Sequence, residues 1–302
     1  MMKRLLFLTF LLGCTSSLFA VHSSLFTNEA PDSVFIEHTL SSYLVPRTSY
    51  PSTLNSQPST LTSPSSDILH FARFFLNRPY VAHTLEVNNT EQLVVNTRQL
   101  DCTTLIENVL ALAICHRQQT LSYADFCRQL QTLRYRNGII DGYPSRLHYF
   151  TDWILDNTGK GIVTEVQDTC PPFTATQTIK VNYMSRHPKA YKALSAHPAL
   201  VADIVRQEQR LCGMQFRYIP KSAIKDTPLL RSIIHDGDIL AITCSKPGLD
   251  IAHLGFAVWR NDGLHLLNAS QIHKKVVEEP MTLDKYLAKH PSHTGIRVIR
   301  LK

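Results

Sequence analysis

Residues 100–107 read Leu100-Asp101-Cys102-Thr103-Thr104-Leu105-Ile106-Glu107 and join a polar turn to an apolar segment. The apolar side chains continue at helical spacing as far as Ala113, which predicts an amphipathic helix. Aspartate and threonine commonly begin helices, because their side-chain oxygens accept hydrogen bonds from first-turn N–H groups. Cys102 is therefore expected within about one residue of a helix N-terminus.

Two interpretations of Cys102 follow from this position. The positive end of a helix favours a thiolate over a thiol, and the thiolate is the form that attacks carbonyl carbons. The alternative is a small buried side chain that packs at the start of the helix, since most cysteines are inert packing residues. This segment alone does not separate the nucleophile from the packing residue.

The first twenty residues have the order of a secretory signal. Lys3 and Arg4 precede the apolar run 5–12, which is too short to span a bilayer, and small or polar residues follow. This order predicts a signal peptide over residues 1–20. The Leu-Leu-Gly-Cys sequence ending at Cys14 is similar to a bacterial lipoprotein box. We therefore expect an exported protein, periplasmic or extracellular. Cleavage after Ala20 would remove Cys14, whereas processing at the lipoprotein box would keep it as a lipidated N-terminus, the one membrane contact that the sequence allows.

The composition and charge of the chain indicate which classes of partner to expect. It has 302 residues, of which 44% are hydrophobic, and a formal net charge of +7. The basic residues are scattered and form no nucleic-acid motif, so a nucleic-acid partner is not expected, whereas an anionic cell-wall polymer suits a mildly basic exported protein. No cysteine and histidine spacing is typical of zinc, so a metal site is not expected. Cys102 is predicted to be a free thiol, while disulfides among the remaining cysteines stay open.

Three segments are predicted along the chain. After the signal peptide, residues 21–66 are rich in Ser, Thr and Pro and predict a linker, in which the amphipathic stretch 34–44 could dock on the domain. Residues 67–302 predict one catalytic domain in which helices come first and strands last, which is an α+β organisation. The insertion at about 134–232 is expected to be largely helical. Helices are predicted over 67–76, 123–133, 147–155 and 198–211, besides the one that begins near Cys102. Strands are predicted over 238–243, 252–259, 264–270, 276–277 and 294–301.

The predicted hairpin 252–270 offers a base for the cysteine. If its loop has two residues, at 261–262 or 262–263, odd positions pair with even ones, and His253 shares a face with Asn268 and Ser270. His265 then lies on the other face, whereas a three-residue loop would reverse the assignment. On the shared face the Asn268 amide oxygen could fix the tautomer of His253. The alternative is that these two side chains only satisfy each other's hydrogen bonds.

Five short motifs occur in an order that resembles the NlpC-type, papain-like cell-wall hydrolases. They are Arg78-Pro79-Tyr80, Leu100-Asp101-Cys102-Thr103-Thr104, Asp236-Gly237-Asp238-Ile239, Ala252-His253-Leu254-Gly255-Phe256-Ala257 and Leu267-Asn268-Ala269-Ser270. The resemblance implies a papain-like core, in which the cysteine-bearing helix packs on an antiparallel β-meander. It also implies that Cys102 is the nucleophile, His253 the base and Asn268 the residue that orients it, with the Tyr80 hydroxyl pointing at the site.

Over residues 67–302 the chain is more similar to the N-acetylmuramoyl-L-alanine amidase-like branch. The motifs that carry this similarity are at 91–96, 101–107, 135–138, 145–153 and 248–253. The branch implies hydrolysis of the amide between muramic acid and the L-Ala of peptidoglycan stem peptides, with no cofactor. Further site-lining candidates, for which surface or packing roles are the alternative, are Asp101, Asp141, Tyr143, Arg146, His148 and Trp153.

Two rival functions stay open at this stage. A peptidase of the same fold would cut within the stem peptide, between D-Glu and a diamino acid. A protein of a different class would bind the cell wall or its muropeptides with a catalytically silent site. The intact set of Cys102, His253 and Asn268 favours an enzyme over this binding protein.

Overall fold

The computed structural model describes residues 31–42 and 64–302. The predicted signal peptide 1–20, Cys14 and most of the predicted linker 21–66 lie outside the described residues. Within the described part, no helix is both long enough and apolar enough to cross a membrane.

Ten α-helices are described in these two ranges, and the longest begins at Cys102. Their bounds are α1 Asp32–Ser42, α2 Pro64–Arg73, α3 Cys102–Arg117, α4 Tyr123–Arg134, α5 Phe150–Gly159, α6 Tyr183–Arg186, α7 Lys192–Ala196, α8 Val201–Leu211, α9 Pro228–Ile233 and α10 Leu283–Ala288. The helices predicted over 67–76, 123–133, 147–155 and 198–211 correspond to α2, α4, α5 and α8, with boundaries that differ by a few residues at either end.

Within residues 31–42 and 64–302, eight strands form one sheet in which every pairing between strands is antiparallel. They are β1 Val163–Val166, β2 Ala175–Thr178, β3 Gln215–Pro220, β4 Ile239–Cys244, β5 Ile251–Arg260, β6 Gly263–Ser270, β7 Lys275–Glu278 and β8 His293–Leu301. The strand order is β2-β3-β8-β4-β5-β6-β7, with β1 also paired to β8. The five predicted strands correspond to β4–β8, and the α+β class is confirmed.

The insertion differs from the largely helical segment that the sequence predicted. It contributes β1, β2 and β3 to the main sheet, since β8 pairs with β4 along one edge and with both β1 and β3 along the other. Its strands are short and partly polar, as in Ala175-Thr176-Gln177-Thr178, so they carry little apolar alternation. The edge of β8 supplies hydrogen-bond partners for β1 and β3, and β2 pairs with β3.

Helix α1 lies inside the predicted linker and packs against the domain, as the amphipathic stretch allowed. It buries Phe35, Ile36 and Leu40, and the Phe35 ring lies 5.4 Å from that of Phe75. Its Asp32 carboxylate accepts hydrogen bonds from the backbone N–H and the hydroxyl of Thr97, at 2.8 and 2.6 Å. The helix is therefore held to the loop that leads into Cys102.

The sheet carries a separate apolar cluster on each face. The larger cluster joins α1–α5 to alternate sheet residues such as Leu254, Phe256 and Leu267. The second joins α9 and α10 to the intervening positions, such as Ile242, Ala257 and Leu266. Because side chains alternate between faces along a strand, this division fixes which way each polar side chain of β5 and β6 points.

Candidate active site

Cys102 is the first residue of α3, as the sequence predicted. Asp101 is the N-cap, and its carboxylate accepts a 2.8 Å hydrogen bond from the Thr104 backbone N–H. In return, the Thr104 hydroxyl accepts a 2.9 Å bond from the Asp101 N–H, which completes a capping box. The first-turn N–H groups of Cys102 and Thr103 have no intrahelical acceptor. The cap therefore fixes the position of Cys102 at the N-terminal end of α3.

The Cys102 thiol is free and half-buried. Burial, and to a smaller degree the Asp101 carboxylate, raises its pKa to about 12, while hydrogen bonds from the backbone of Leu254 and from Thr103 act in the opposite direction. The expectation of a thiolate favoured by the helix end is thus overridden by desolvation, which penalises the charged form. The thiol is neutral near pH 7 and needs a base before it can attack.

The β5–β6 hairpin places a histidine and an amide together. Phe256 pairs with Leu267, so the loop is the two-residue turn 261–262 and the predicted register is confirmed. The side chains of His253 and Asn268 meet on one face, with Nε2 of the histidine 3.0 Å from Oδ1 of the asparagine. The Asn268 amide nitrogen donates to the carbonyl of Leu266 at 3.3 Å, which orients its oxygen toward the ring.

The hydrogen bond to Asn268 defines the tautomer of His253. Because Oδ1 can only accept, Nε2 carries the proton, and Nδ1 keeps a lone pair for use as a base. Burial lowers the pKa of His253, with the bond to Asn268 acting in the opposite direction, so the ring is neutral near pH 7. A side chain at Gly255 would disturb this arrangement, since a Cβ there would lie 2.6 Å from Cγ of Leu266.

A cavity of about 170 Å³ brings the cysteine and the histidine together. Its lining residues are Cys102, Thr103, His148, Tyr149, Phe150, Met184, Tyr191, Leu249, Asp250, Ile251, Ala252, His253 and Leu254. The α3 start and the β5 start form one wall, and the insertion forms the other. Asn268 is fully buried behind His253 and does not line the cavity.

Tyr80 lies close to this cavity because of two short backbone contacts. Its N–H donates to the carbonyl of Lys274 at 2.9 Å, and it forms a parallel bridge with Leu100, two residues before Cys102. Burial raises the pKa of Tyr80 to about 12, with smaller contributions from Cys102 and Asp101. The phenol is therefore protonated, and its role at the site stays a prediction.

His148 is the one predicted insertion residue that reaches the Cys102 cavity. Its Nε2 lies 3.0 Å from the carbonyl of Tyr143, and the two rings are 4.5 Å apart. Burial lowers the pKa of His148 to about 3, so the ring is neutral. Tyr143 instead lines a neighbouring cavity of about 340 Å³, on the far side of His148.

Three predicted site-lining residues have other environments. Arg146 is buried in ion pairs, 2.7 Å from Glu86 and 3.3 Å from Glu91. Trp153 is fully buried and stacks on Phe150 with ring centroids 4.8 Å apart, so it belongs to the core. Asp141 is exposed and lines a separate hollow of about 490 Å³. Their side-chain chemistry suited a site, but tertiary packing directs them elsewhere.

Several residues near the candidate site were not predicted. Asp250 lines the Cys102 cavity and accepts a 2.7 Å bond from the backbone N–H of Thr151. His290 and His293 stack at 4.6 Å, and His290 acts to lower the pKa of His253 as a secondary cause behind burial. The contacts of Asp250 with Thr151 and of His290 with His253 have no local sequence signal, because each joins segments far apart in the chain. Among the described residues, no group of three or more His, Cys, Asp or Glu is placed to hold a metal ion.

Comparison with solved structures gives close neighbours. An N-acetylmuramoyl-L-alanine amidase from Bacteroides uniformis is 42% identical with a TM-score of 0.74, and the match covers 79% of this chain and 99% of that one. A Bacteroides fragilis protein, named as a candidate xylanase, is 41% identical with a TM-score of 0.71, over 76% and 99% of the two chains. A Legionella pneumophila protein at 22% identity shares the fold, with a TM-score of 0.64 and coverage of 95% and 96%.

These neighbours and the fold place the protein among amidase-like hydrolases of α+β architecture. The model of the AmiA-like family, described as N-acetylmuramoyl-L-alanine amidase-like, matches residues 70–296. The chain therefore belongs to the AmiA-like family. Comparison with curated protein sequences finds no match.

Proposed function

We propose that the protein is an exported cysteine amidase with a papain-like, NlpC-type site. On this proposal it hydrolyses the bond between muramic acid and the L-Ala of peptidoglycan stem peptides. The observation that carries the proposal is the 3.0 Å contact between His253 Nε2 and Asn268 Oδ1, in a ring that lines the same cavity as Cys102. The amidase-like family and its solved relatives support the choice of substrate.

The first half of the reaction forms a thioester. His253 Nδ1 takes the proton of the Cys102 thiol as Sγ attacks the lactyl carbonyl carbon of muramic acid. The carbonyl oxygen becomes an oxyanion, which the backbone N–H of Cys102 at the start of α3 can stabilise. The C–N bond then breaks, and His253 returns its proton to the leaving amine of L-Ala.

The second half regenerates the enzyme. Water attacks the thioester carbon while His253 Nδ1 accepts one of its protons, and a second oxyanion forms in the same position. The C–S bond breaks, the lactyl group leaves as a carboxylic acid, and the histidine reprotonates Cys102. No redox step occurs, so the residues of this chain suffice for the proton transfers.

Glycoside hydrolysis, which the name of the Bacteroides fragilis relative mentions, is less consistent with the cavity. That reaction generally needs two carboxyl groups on either side of the scissile bond. Asp250 is the only carboxylate among the residues that line the Cys102 cavity in the described part of the chain. Its Oδ2 already accepts a hydrogen bond from Thr151. The cavity therefore favours acyl chemistry.

Digestion of defined muropeptides, analysed by mass spectrometry, tests the proposal. We expect release of the intact stem peptide from the sugar, and a Cys102→Ala variant that folds and binds muropeptide but turns over at least about 10⁴-fold more slowly. Cys212→Ala, which alters an exposed thiol that does not line the Cys102 cavity, is the matched control. Cleavage between D-Glu and the diamino acid would replace the amidase by the endopeptidase, and unchanged turnover in Cys102→Ala would refute the nucleophile.

A further inference from the structure

Asp250 is a carboxylate in the Cys102 cavity that the proposed mechanism does not use. Its side chain lines the cavity and is only 3% exposed. The other lining residues are apolar, hydroxyl, thiol or thioether side chains and two histidines, His148 and His253. Both histidines are neutral near pH 7, because burial lowers their pKa. Within the described residues Asp250 is therefore the one charged group of the lining, and a buried charge needs partners.

One carboxylate oxygen of Asp250 already has a structural partner. Oδ2 accepts a 2.7 Å hydrogen bond from the backbone N–H of Thr151, the second residue of α5. Tyr149, the N-cap of that helix, makes no side-chain hydrogen bond to it, so Asp250 caps α5 from the loop between β4 and β5. The positive end of the helix also stabilises a negative charge. A neutral hydrogen-bond donor is therefore a sufficient partner for the rest of the carboxylate.

The second oxygen of Asp250 faces the cavity. Oδ1 forms no hydrogen bond within the described residues, yet it retains solvent access, which the cavity provides to this deeply buried side chain. The backbone of the residue is also held, because its carbonyl accepts a 2.6 Å bond from Nε2 of Gln177. Asp250 is thus fixed at two points, and one acceptor is directed at the space beside Cys102.

We propose that Asp250 is a specificity-determining residue, whose Oδ1 accepts a hydrogen bond from an amide N–H of the substrate next to the scissile bond. The inference rests on the proposed function, under which two N–H groups flank that bond: the acetamido N–H of muramic acid and the N–H between L-Ala and D-Glu. A carboxylate can only accept, so it favours a ligand with an N–H at this position over one with an oxygen. Asp250 precedes His253 by three residues, at most about 11 Å along the chain, which suits a contact beside the reacting atoms.

Calorimetric titration of Cys102→Ala protein with three ligands tests this contact without turnover. The parent ligand contains the sugar, L-Ala and D-Glu, and in each of two analogues an ester oxygen replaces one of the two flanking N–H groups. We expect one analogue to bind at least about tenfold more weakly than the parent, because a charged hydrogen bond is lost and two acceptors are brought together. The analogue that is affected identifies the donor, and the other should bind like the parent.

Addition of Asp250→Asn to the Cys102→Ala protein should reverse this preference. The amide oxygen of the new side chain can keep the bond to Thr151, so an N–H donor replaces Oδ1 at the cavity. The parent should then bind at least about tenfold more weakly than before, and the affected analogue should bind at least as tightly as the parent does to this variant. A damaged fold would weaken all three ligands alike, so the reversal is specific to the contact.

The control and the failures are distinct. Asp284→Asn, a change of an exposed carboxylate on α10, should leave all three affinities unchanged in the Cys102→Ala background. Equal affinities for the three ligands, no binding of the parent, or a weaker analogue that Asp250→Asn does not restore would overturn the inference. Because the titration measures binding alone, cleavage between D-Glu and the diamino acid would refute the proposed function and leave this result standing.

Discussion

The two walls of the candidate site are built by different kinds of interaction. One wall is local: a capping box sets the direction of Cys102, and a two-residue turn sets the register of His253 and Asn268. The other wall comes from the insertion, where Arg146 and Trp153 are buried by contacts with distant segments. Local backbone geometry therefore directs the polar residues of the first wall toward the cavity, whereas most of the predicted residues of the second wall are buried in ion pairs or in the core.

The largest effect that tests this difference between the two walls is expected on the stability of a Trp153 variant. Trp153→Ala should lower the free energy of unfolding by about 3–5 kcal/mol, because it removes a fully buried ring stacked on Phe150. Chemical denaturation measures this loss. Trp153→Phe should cost far less, since the indole N–H has no hydrogen-bond partner to lose within the described residues. If the Trp153→Ala protein is as stable as wild type and has a raised KM, Trp153 contributes to substrate binding and not to the core.

The next effect, smaller in free energy than that of Trp153→Ala, is expected on the turnover of Asn268→Ala. Without the amide oxygen the His253 ring can rotate or change tautomer, so kcat should fall about 10²-fold while KM changes little. Steady-state kinetics on a defined muropeptide measures both constants. Asn268→Gln, which keeps an amide, should retain more activity than Asn268→Ala. If the alanine variant is fully active, the 3.0 Å contact with His253 is only structural.

The pH dependence of the reaction follows from the His253 ring. Burial lowers its pKa below the usual 6.5, so kcat/KM should fall only when the pH drops below that value. Asn268 opposes this lowering, so the acidic limb of Asn268→Ala should move to still lower pH. The pH profiles of the wild type and the variant check the direction. A limb above pH 6.5 would mean that His253 is not the base.

Stability should follow pH through His293. Burial lowers its pKa to about 4, so below pH 6.5 the unfolded chain binds a proton that the folded protein does not. The contribution of His293 to the free energy of unfolding is therefore fully present above pH 6.5 and is lost as the pH falls toward 4. Urea unfolding measures the free energy of unfolding at pH 7 and at pH 5. Its decrease between the two should be smaller in His293→Gln than in wild type, whereas a change of the exposed His187 to Gln should leave the decrease as in wild type.

These contrasts explain what the sequence could predict. The helix start at Cys102 and the hairpin register depend on neighbours within a few residues, so residue type and spacing were enough. Strand β2 was missed because Ala175–Thr178 has no apolar alternation, and its pairing with Tyr218 and Arg217 lies some forty residues away along the chain. The fate of Arg146 depended on Glu86 and Glu91, which precede it by more than fifty residues.

The smallest effect is expected at Asp141, and it tests whether the hollow that Asp141 lines is separate from the Cys102 cavity. Its side chain is exposed and lines the 490 Å³ hollow with Arg136 and Asn137, while the cavity that contains Cys102 is lined by His148 instead. Asp141→Ala should change kcat/KM less than about twofold and the free energy of unfolding by less than about 0.5 kcal/mol. His148→Ala should lower kcat/KM about tenfold, because it removes a wall of the Cys102 cavity. If Asp141→Ala instead lowered kcat/KM as much as His148→Ala, the substrate would have to extend across both hollows, and the exposed surface of the insertion would belong to the binding site.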